Sequence, residues 1–258
     1  MTNKAIFQSN NGIRLVGIWH LPKKQTTKAI VLAHGITVDK DEKGIFIKLA
    51  EKLVQMGFAV FRFDFRGHGE SGGKSVDMTI TGELYDLEMA IEEVKKEGYT
   101  EIGLVGASFG GGISTLYFLK HQDDIDSFCL WNPVLNYDHT FLHPTLPWLT
   151  EKKDQMMKEI RENGWTTIGS RKFVVGKALF DDMATYMPFE VLKNISVPTL
   201  IVHGTKDTKV SYKDSKEYVH SLKNGQLIIL DGAEHGFHKE WEAKRAIEET
   251  VRFFQKDL

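Results

Sequence analysis

The sequence predicts an α/β protein, in which a mostly parallel sheet of eight strands carries helices on both faces and an inserted, mainly helical cap. Two observations predict this architecture. Apolar runs of strand length alternate with segments of helical period over most of the 258 residues. One stretch, from residue 134 to about residue 187, breaks the alternation and is too long for an ordinary loop.

The predicted elements follow one another in chain order. Residues 5–8 and 14–20 flank the turn Asn10-Asn11-Gly12 and predict an antiparallel hairpin. Six further apolar runs predict strands at residues 29–33, 59–63, 102–105, 127–131, 199–202 and 226–230. Helical periodicity predicts helices at residues 46–56, 80–97, 110–121, 212–222 and 240–255.

The interrupting stretch predicts the domain organisation. We expect a core domain made of residues 1–133 and 188–258, and an inserted cap at residues 134–187 that is rich in aromatic residues and Met. So much apolar surface must be buried, and a substrate cleft is the usual place. Trp148, Trp165 and Phe180 are therefore candidate substrate contacts. The alternative is that these aromatic residues form the cap's own core.

Composition excludes several classes of function. Lys and Arg number 33 against 35 Asp and Glu, and a net charge of -2 gives no global field to attract nucleic acid or anionic lipid. The only cysteine, Cys129, lies in an apolar run, so we expect a buried thiol, no intrachain disulfide and no cysteine-based metal cluster. Without a signal peptide or a run of ~20 apolar residues, a cytoplasmic monomer or homodimer with no membrane span is expected.

A serine between two glycines, in Gly106-Ala107-Ser108-Phe109-Gly110, follows one predicted strand and opens the next helix. The pattern alone is weak, because the chain contains 23 glycines. In this position, however, glycines allow the strand and the helix to pass close to a serine in a strained conformation. Ser108 is therefore the candidate nucleophile, and the alternative is a small residue in a tight turn.

A serine nucleophile needs an adjacent base, and the base needs an orienting carboxylate. The stretches VPTLIVHGTKD and LIILDGAEHGF each carry a predicted strand into a glycine-containing turn, ending at Asp207 and at His235. Both turns lie at the carboxyl edge of the sheet, where open α/β sheets bind ligands. His235 is the predicted base and Asp207 the predicted acid, with Asp231 and Glu234 as rival carboxylates.

Acyl transfer also needs two backbone N–H groups that meet a developing oxyanion. Phe109 follows the candidate nucleophile at the N-terminus of its helix, where the helix dipole assists. The second donor is expected in the loop after the strand at residues 29–33, where Gly35 lets the N–H of Ile36 face the site. We interpret His34 as a brace of this loop.

These motifs, with FRFDFRGHGESGG, resemble the α/β-hydrolase family in their residues and in their order. They are most similar to bacterial carboxylesterases that include cinnamoyl and feruloyl esterases, and more distantly to monoacylglycerol lipases. The resemblance spans residues from about 10 to 133 and from 188 to 256. It implies that Ser108 is the nucleophile, His235 the base and Asp207 its orienting acid. It also implies that Ile36 and Phe109 are the oxyanion donors.

One departure, one excluded chemistry and one further match refine the resemblance. The cap is longer than in the cinnamoyl esterases, so the residues that hold a phenolic hydroxyl there have no assigned counterpart here. The serine at the turn argues against haloalkane dehalogenase or epoxide hydrolase chemistry, which this fold performs with an aspartate nucleophile. Gly67-His68-Gly69 matches a structural loop of the family, which implies that His68 is not catalytic.

The leading hypothesis is a serine carboxylesterase that cleaves small to medium acyl or aryl-acyl esters through an acyl-enzyme on Ser108. The expected partner is a small-molecule ester, and neither a cofactor nor a metal is expected. An acyl thioesterase and a monoacylglycerol lipase are alternatives that use the same machinery. A catalytically silent binding protein on the same fold is the alternative outside the enzymes.

Overall fold

A computed structural model describes residues 1–170 and 172–258. Its strands are β1 (Thr2–Gln8), β2 (Arg14–His20), β3 (Lys28–Ala33), β4 (Ala59–Asp64), β5 (Glu101–Ala107), β6 (Ser127–Trp131), β7 (Trp165–Ile168), β8 (Phe173–Gly176), β9 (Thr199–Gly204) and β10 (Gly225–Leu230). An 8-stranded sheet has the order β1-β2-β4-β3-β5-β6-β9-β10. β2 pairs antiparallel with β1 and β4, and the other neighbours are parallel. The predicted mostly parallel sheet is confirmed.

Helices cover both faces of this sheet, as predicted. They are α1 (Ile45–Gln55), α2 (Ile80–Lys96), α3 (Ser108–Tyr117), α4 (Pro147–Thr150), α5 (Lys153–Asn163), α6 (Lys177–Met183), α7 (Pro188–Val191), α8 (Tyr212–Tyr218) and α9 (Glu240–Asp257). α1 and α9 pack on one face, and α2 and α3 pack on the other. Within residues 1–170 and 172–258, no helix has the length and apolar character needed to cross a bilayer.

The sheet separates two hydrophobic cores. In β3, Ile30 and Leu32 belong to the core beneath α1 and α9, and Val31 belongs to the core beneath α2 and α3. The reason is that successive side chains of a strand point to opposite faces. Because both faces are covered, the central strands are largely apolar, and this makes them recognisable as apolar runs.

The predicted elements differ from the observed ones mainly at their ends. The helix predicted at residues 110–121 begins earlier, at Ser108, and ends earlier, at Tyr117. The helix predicted at residues 212–222 divides, because α8 ends at Tyr218 and a 3-10 turn covers Val219–Ser221. The remaining predicted strands and helices are present with small shifts of their boundaries.

Residues 132–198 connect β6 to β9 and include the predicted insertion at residues 134–187. Besides α4, α5 and α6, the insertion contains an antiparallel hairpin in which β7 pairs with β8. The prediction of a mainly helical segment missed this hairpin. Its strands are 4 residues long, and β7 alternates exposed and buried side chains, so no apolar run signals it.

The hairpin packs closely on the rest of the chain. At the end of β8, a Cβ added to Gly176 would lie 2.1 Å from the carbonyl oxygen of Val76. At the start of β8, the ring of Phe173 stacks on the ring of His68, with centroids 4.8 Å apart. His68 is buried, and its Nδ1 lies 2.9 Å from the carbonyl oxygen of Arg66. His68 therefore contributes to the docking of the insertion.

The turn between β5 and α3 brings three backbone segments into close contact. A Cβ added to Gly110, in the first turn of α3, would lie 2.2 Å from the carbonyl oxygen of His34. A Cβ added to Gly106 would lie 2.6 Å from Oγ of Ser114. Real Cβ atoms do not approach other atoms so closely, so packing requires glycine on both sides of Ser108.

Gly110→Ala should lower the free energy of unfolding by at least about 3 kcal/mol or prevent folding, because the methyl group meets backbone rather than a mobile side chain. Helix propensity alone predicts the opposite sign, since alanine is favoured over glycine by up to about 1 kcal/mol inside a helix. Urea unfolding followed by circular dichroism measures the change.

Gly12→Ala is the matched control. Gly12 has a φ of 79°, and an added Cβ would meet nothing within 4 Å. This variant should therefore lose only about 1 kcal/mol, the cost of placing alanine in a left-handed conformation. A Gly110→Ala protein as stable as the wild type would contradict the packing argument.

Candidate active site

Ser108 occupies the turn between β5 and α3 with a φ of 51°, in the left-handed region that residues with a Cβ rarely adopt. It is the first residue of α3, and its carbonyl oxygen accepts a hydrogen bond from the N–H of Val134 at 2.9 Å. The strained turn places the hydroxyl of Ser108 beside the loop that follows β10.

His235, in the loop after β10, connects Ser108 with Asp207 in the loop after β9. Nε2 of His235 lies 3.0 Å from Oγ of Ser108, and Nδ1 lies 2.6 Å from Oδ2 of Asp207. Because a carboxylate can only accept, Nδ1 carries the hydrogen, and Nε2 of the neutral ring can accept the hydroxyl proton of Ser108. The three side chains predicted to form the triad therefore meet in the order that activates a serine.

The carboxylate of Asp207 is buried and fully engaged. Its Oδ1 accepts hydrogen bonds from the backbone N–H groups of Lys209 and Val210 at 2.8 and 2.9 Å. Its Oδ2 faces Nε2 of His203 at 3.3 Å as well as His235. Burial would raise the pKa of Asp207, but the charge of His235 and the hydrogen bonds from both histidines outweigh burial and hold this pKa below its ordinary value. Asp207 therefore stays ionised at neutral pH.

The two rival carboxylates are engaged elsewhere. Oδ1 of Asp231 accepts a hydrogen bond from the hydroxyl of Thr205 at 2.9 Å. Oε1 of Glu234 pairs with Nζ of Lys239 at 2.7 Å. The geometry therefore favours Asp207 as the partner of His235.

The loop after β3 lies directly against the candidate nucleophile. A Cβ added to Gly35 would lie 3.0 Å from Cβ of Ser108. Nε2 of His34 lies 3.0 Å from the backbone nitrogen of Phe65, and Nδ1 lies 2.8 Å from the carbonyl oxygen of Gly35. Burial lowers the pKa of His34 to about 4, so its ring is neutral. Because a backbone N–H can only donate, Nε2 accepts, and Nδ1–H donates to the Gly35 carbonyl.

The hydrogen bond from His34 orients the peptide between Gly35 and Ile36. In a trans peptide, the carbonyl and the following N–H point in opposite directions, so the N–H of Ile36 points away from His34. Ile36 lines the cavity beside Ser108. In the described part of the chain, the N–H groups of Ile36 and Phe109 donate to no protein acceptor. Both groups are available to an oxyanion, and their role in an oxyanion hole stays a prediction.

A second buried carboxyl lies in the same site. Glu42 is 7% exposed, and its Oε2 accepts a hydrogen bond from the N–H of Gly35 at 2.8 Å. Burial raises the pKa of Glu42 to about 7, although the Gly35 hydrogen bond and the positive charges of His235 and Lys43 act in the opposite direction. Glu42 therefore changes its charge near neutral pH.

A cavity of about 180 Å³ opens beside Ser108. Its walls come from the loops after β3, β9 and β10 and from the insertion. The apolar side chains among its lining residues are Ile36, Val38, Val134, Phe141, Trp148, Ile168 and Val210. The polar side chains are Thr37, Glu42, Lys43, Ser108, Thr140, Ser170, Lys209, His235 and His238. Pockets for drug-sized ligands measure about 300–1,000 Å³, so this one fits a smaller group.

Of the three aromatic residues predicted to contact substrate, the lining residues include only Trp148. Nζ of Lys209 lies 4.8 Å from the centroid of its indole ring. Trp165 stands at the far end of β7 from the cavity-lining Ile168 and is 43% exposed. Phe180 is buried in the hydrophobic core that lies beneath α2 and α3. The structure therefore places neither Trp165 nor Phe180 at this cavity, because composition marked these residues as apolar without locating them.

Sequence reasoning missed three residues of the site. His203 supports Asp207 from behind and lies at position i−4 in the same motif, HGTKD, so the motif carried a signal for it. Glu42 follows Gly35 by 7 residues in a highly charged stretch, where the sequence alone does not distinguish a buried carboxylate from a solvated one. Lys43, the third, lines the cavity from the same stretch.

The eight-stranded sheet, the strained serine turn after β5 and the aspartate and histidine after the last two strands define an α/β hydrolase. A comparison with known families gives the same class and narrows it. The sequence model of the family described as serine aminopeptidase, S33, matches residues 24–242. The chain belongs to this family of α/β hydrolases.

Individual relatives match over nearly the whole chain. The monoacylglycerol lipase of Mycolicibacterium smegmatis is 22% identical over 277 residues, covering 98% of this chain and 96% of the lipase. The monoglyceride lipase homolog of monkeypox virus is 23% identical over 274 residues, covering 97% of each protein. The structure of Est1E from Butyrivibrio proteoclasticus with bound ferulic acid is similar with a TM-score of 0.85, at 22% identity and 98% coverage of both chains. This likeness shows the fold.

The buried carboxyl of Glu42 predicts a pH-dependent stability. Because its pKa is raised from 4.5 to about 7, the folded state holds the proton more tightly than the unfolded state does. The tighter binding of this proton contributes about 3 kcal/mol to the free energy of unfolding below pH ~4.5. This contribution is lost as the pH rises to about 7. Relative to Glu42→Gln, which does not titrate, wild-type protein should lose this amount between pH 4.5 and 8 in urea unfolding.

Glu234→Gln provides the control for this measurement. Glu234 is exposed, and Lys239 lowers the pKa of its carboxyl. Relative to Glu234→Gln, the wild-type protein should therefore lose no stability as the pH rises from about 4.5 to 8. Parallel stability curves for wild-type and Glu42→Gln protein would show that Glu42 is solvated in solution.

Proposed function

We propose that the protein is a serine carboxylesterase that hydrolyses esters of small to medium acyl or aryl-acyl groups through an acyl-enzyme on Ser108. The observation that carries this proposal is the hydrogen-bonded row of Ser108, His235 and Asp207 beside a cavity that is lined by both apolar and polar side chains. Membership of the family supports hydrolase chemistry but does not identify the type of bond that is cleaved.

In the proposed reaction, Nε2 of His235 takes the hydroxyl proton while Oγ of Ser108 attacks the ester carbonyl carbon. The N–H groups of Ile36 and Phe109 meet the oxyanion of the tetrahedral intermediate. His235 then returns the proton to the leaving alcohol, and the acyl group stays on Ser108. In the second half, His235 takes a proton from water while the water oxygen attacks the carbonyl carbon of the acyl-enzyme. The bond between this carbon and Oγ of Ser108 then breaks, His235 returns the proton to Oγ, and the acid is released. Asp207 stabilises the imidazolium in both halves.

The cavity supports the proposed size and type of substrate. At about 180 Å³, it holds a short alkyl chain or a single ring more readily than a long acyl chain. Phe141 and Trp148 meet edge to face at 6.1 Å and provide flat aromatic walls. The structure of Est1E, a protein of similar fold, contains bound ferulic acid, which supports an aryl-acyl group in the proposed substrate.

Monoacylglycerol lipase activity is the second candidate, because two relatives with lipase names match almost the whole chain. A thioesterase would use the same groups. A panel of butyryl, octanoyl and feruloyl esters, a monoacylglycerol and an acyl thioester separates these three activities. Absence of both turnover and covalent labelling would instead support a catalytically silent binding protein.

We also propose that the insertion acts as a cap, with residues 134–187 over a core of residues 1–133 and 188–258. The support is that Val134, Phe141, Trp148 and Ile168 line the cavity beside Ser108. These side chains would select the substrate, while the residues that perform the chemistry lie outside this segment.

Ser108→Ala should lower kcat for p-nitrophenyl butyrate by at least about 10³-fold, because the reaction loses its nucleophile. The midpoint of thermal unfolding should stay nearly unchanged, since the lost atom is a hydroxyl at the cavity. Wild-type protein should gain the mass of one fluorophosphonate adduct, and the variant should gain none.

Ser114→Ala is the control, because Ser114 is buried in the same helix and lies outside the cavity lining. It should keep both turnover and labelling. A Ser108→Ala protein that retains more than about a tenth of the wild-type kcat would rule out Ser108 as the nucleophile.

Trp148→Ala should widen the cavity and raise the kcat/KM ratio of octanoyl to butyryl esters by about five-fold or more, since one wall contact is worth about 1–3 kcal/mol of discrimination. A parallel series that varies the alcohol tests whether the cavity holds that group instead. Trp165→Ala, which removes an exposed indole outside the cavity lining, should leave both ratios within about two-fold. Equal behaviour of the two variants would exclude a pocket role for Trp148.

A further inference from the structure

The proposed ester hydrolysis gives no role to Glu42, although its carboxyl is buried in the cavity that contains Ser108. Burial disfavours the ionised form of this carboxyl, as its raised pKa indicates, and among residues 1–170 and 172–258 its one hydrogen-bond donor is the N–H of Gly35. An apolar residue of similar size would fill the same space without this penalty. The carboxyl therefore needs an explanation beyond packing.

Glu42 contacts the loop after β3, which we call the oxyanion loop because it carries the proposed oxyanion donor Ile36. Its Oε2 accepts the N–H of Gly35 at 2.8 Å, while Nδ1 of His34 donates to the carbonyl oxygen of the same Gly35 at 2.8 Å. Both peptide units that flank Gly35 are thus held in place, one through its N–H and the other through its carbonyl. Glycine has the freest backbone of all residues, so without these two bonds the direction of the Ile36 N–H would be poorly defined.

The backbone around Glu42 is arranged for this contact. Glu42 and Lys43 both have positive φ angles, 46° and 55°, and Gly44 follows at 92°. Two successive left-handed residues with side chains are disfavoured and persist only where surrounding contacts hold them. Nζ of Lys43 lies 3.0 Å from Nε2 of His238, so the same turn also touches the loop that carries His235.

We infer that Glu42 is a positioning residue, whose carboxyl fixes Gly35 so that the N–H of Ile36 meets the oxyanion of the transition state. A carboxyl suits this task, because its oxygen can accept the Gly35 N–H whether or not the group is ionised, and the hydrogen bond is stronger when it is ionised. Preorganised donors contribute to catalysis because they do not have to reorient during the reaction. Glu42 acts on the substrate through Gly35 and Ile36.

The test compares two replacements of similar size. The amide oxygen of Glu42→Gln can still accept the Gly35 N–H, so kcat should stay within about five-fold of the wild type. Glu42→Leu has no acceptor, and its kcat should fall by about 10- to 100-fold, while KM changes by less than about three-fold. A loss confined to kcat indicates an interaction that is made in the transition state, and a merely structural defect would not produce this split.

Binding of a tetrahedral analogue provides a second readout. An alkyl trifluoromethyl ketone forms a hemiketal with the serine and places an oxyanion in the hole. Across wild type, Glu42→Gln, Glu42→Asp and Glu42→Leu, its Ki should rise in proportion to KM/kcat, because both report transition-state binding. Glu42→Asp keeps the charge and withdraws the acceptor by one methylene, so it should lose kcat even if Glu42→Leu does not fold.

Asp41→Ala is the matched control. It removes a carboxylate from the same turn, and this carboxylate pairs with Arg62 instead of the oxyanion loop. Its kcat should stay within about two-fold of the wild type. The inference is overturned if folded Glu42→Asp or Glu42→Leu protein turns over ester at the wild-type rate, or if the Ki of the ketone does not follow KM/kcat. If wild-type protein cleaves no ester at all, the proposed function itself fails.

Discussion

The close approach of three backbone segments at Ser108 is the constraint on which the site depends. β5 ends there, α3 begins there, and the loop after β3 passes over the first turn of α3 so closely that Gly110 has no room for a side chain. The same contact brings Gly35 against the serine. The left-handed turn at Ser108 is held by these neighbours, so the order of strands in the sheet determines where the hydroxyl stands.

Much of this arrangement could be predicted from the sequence, because its signals are local. Strands buried on both faces are continuous apolar runs, and the residues after β5, β9 and β10 fall at the edge of the sheet where a site is expected. The short hairpin β7–β8 has no such run and was missed. Glu42 was missed because its importance arises from neighbours in space, whereas His203 was missed although it lies in the same motif as Asp207. Trp165 was selected by residue type alone, and it lies on the surface.

The two buried carboxyls of the site show how nearby charges and hydrogen bonds compete with burial over the pKa of a group. The charge of His235 and the hydrogen bonds from both imidazoles lower the pKa of Asp207 in spite of burial. Glu42 accepts the N–H of Gly35, but burial dominates, so its pKa is raised. The same site thus contains a carboxylate that stays charged at neutral pH and a carboxyl that loses its proton near neutrality.

The hairpin β7–β8 has a consequence for protein engineering. It delivers Ile168, Gly169 and Ser170 to the cavity, and its opposite end is anchored against Val76 through Gly176. Ser108, Asp207 and His235 all lie outside the insertion, so the part of the cavity wall that the hairpin supplies and the reactive groups are encoded by separate stretches of the gene. A library of variants confined to the tip of the hairpin can therefore explore new substrate shapes while the hydrogen bonds of the serine, histidine and aspartate stay untouched.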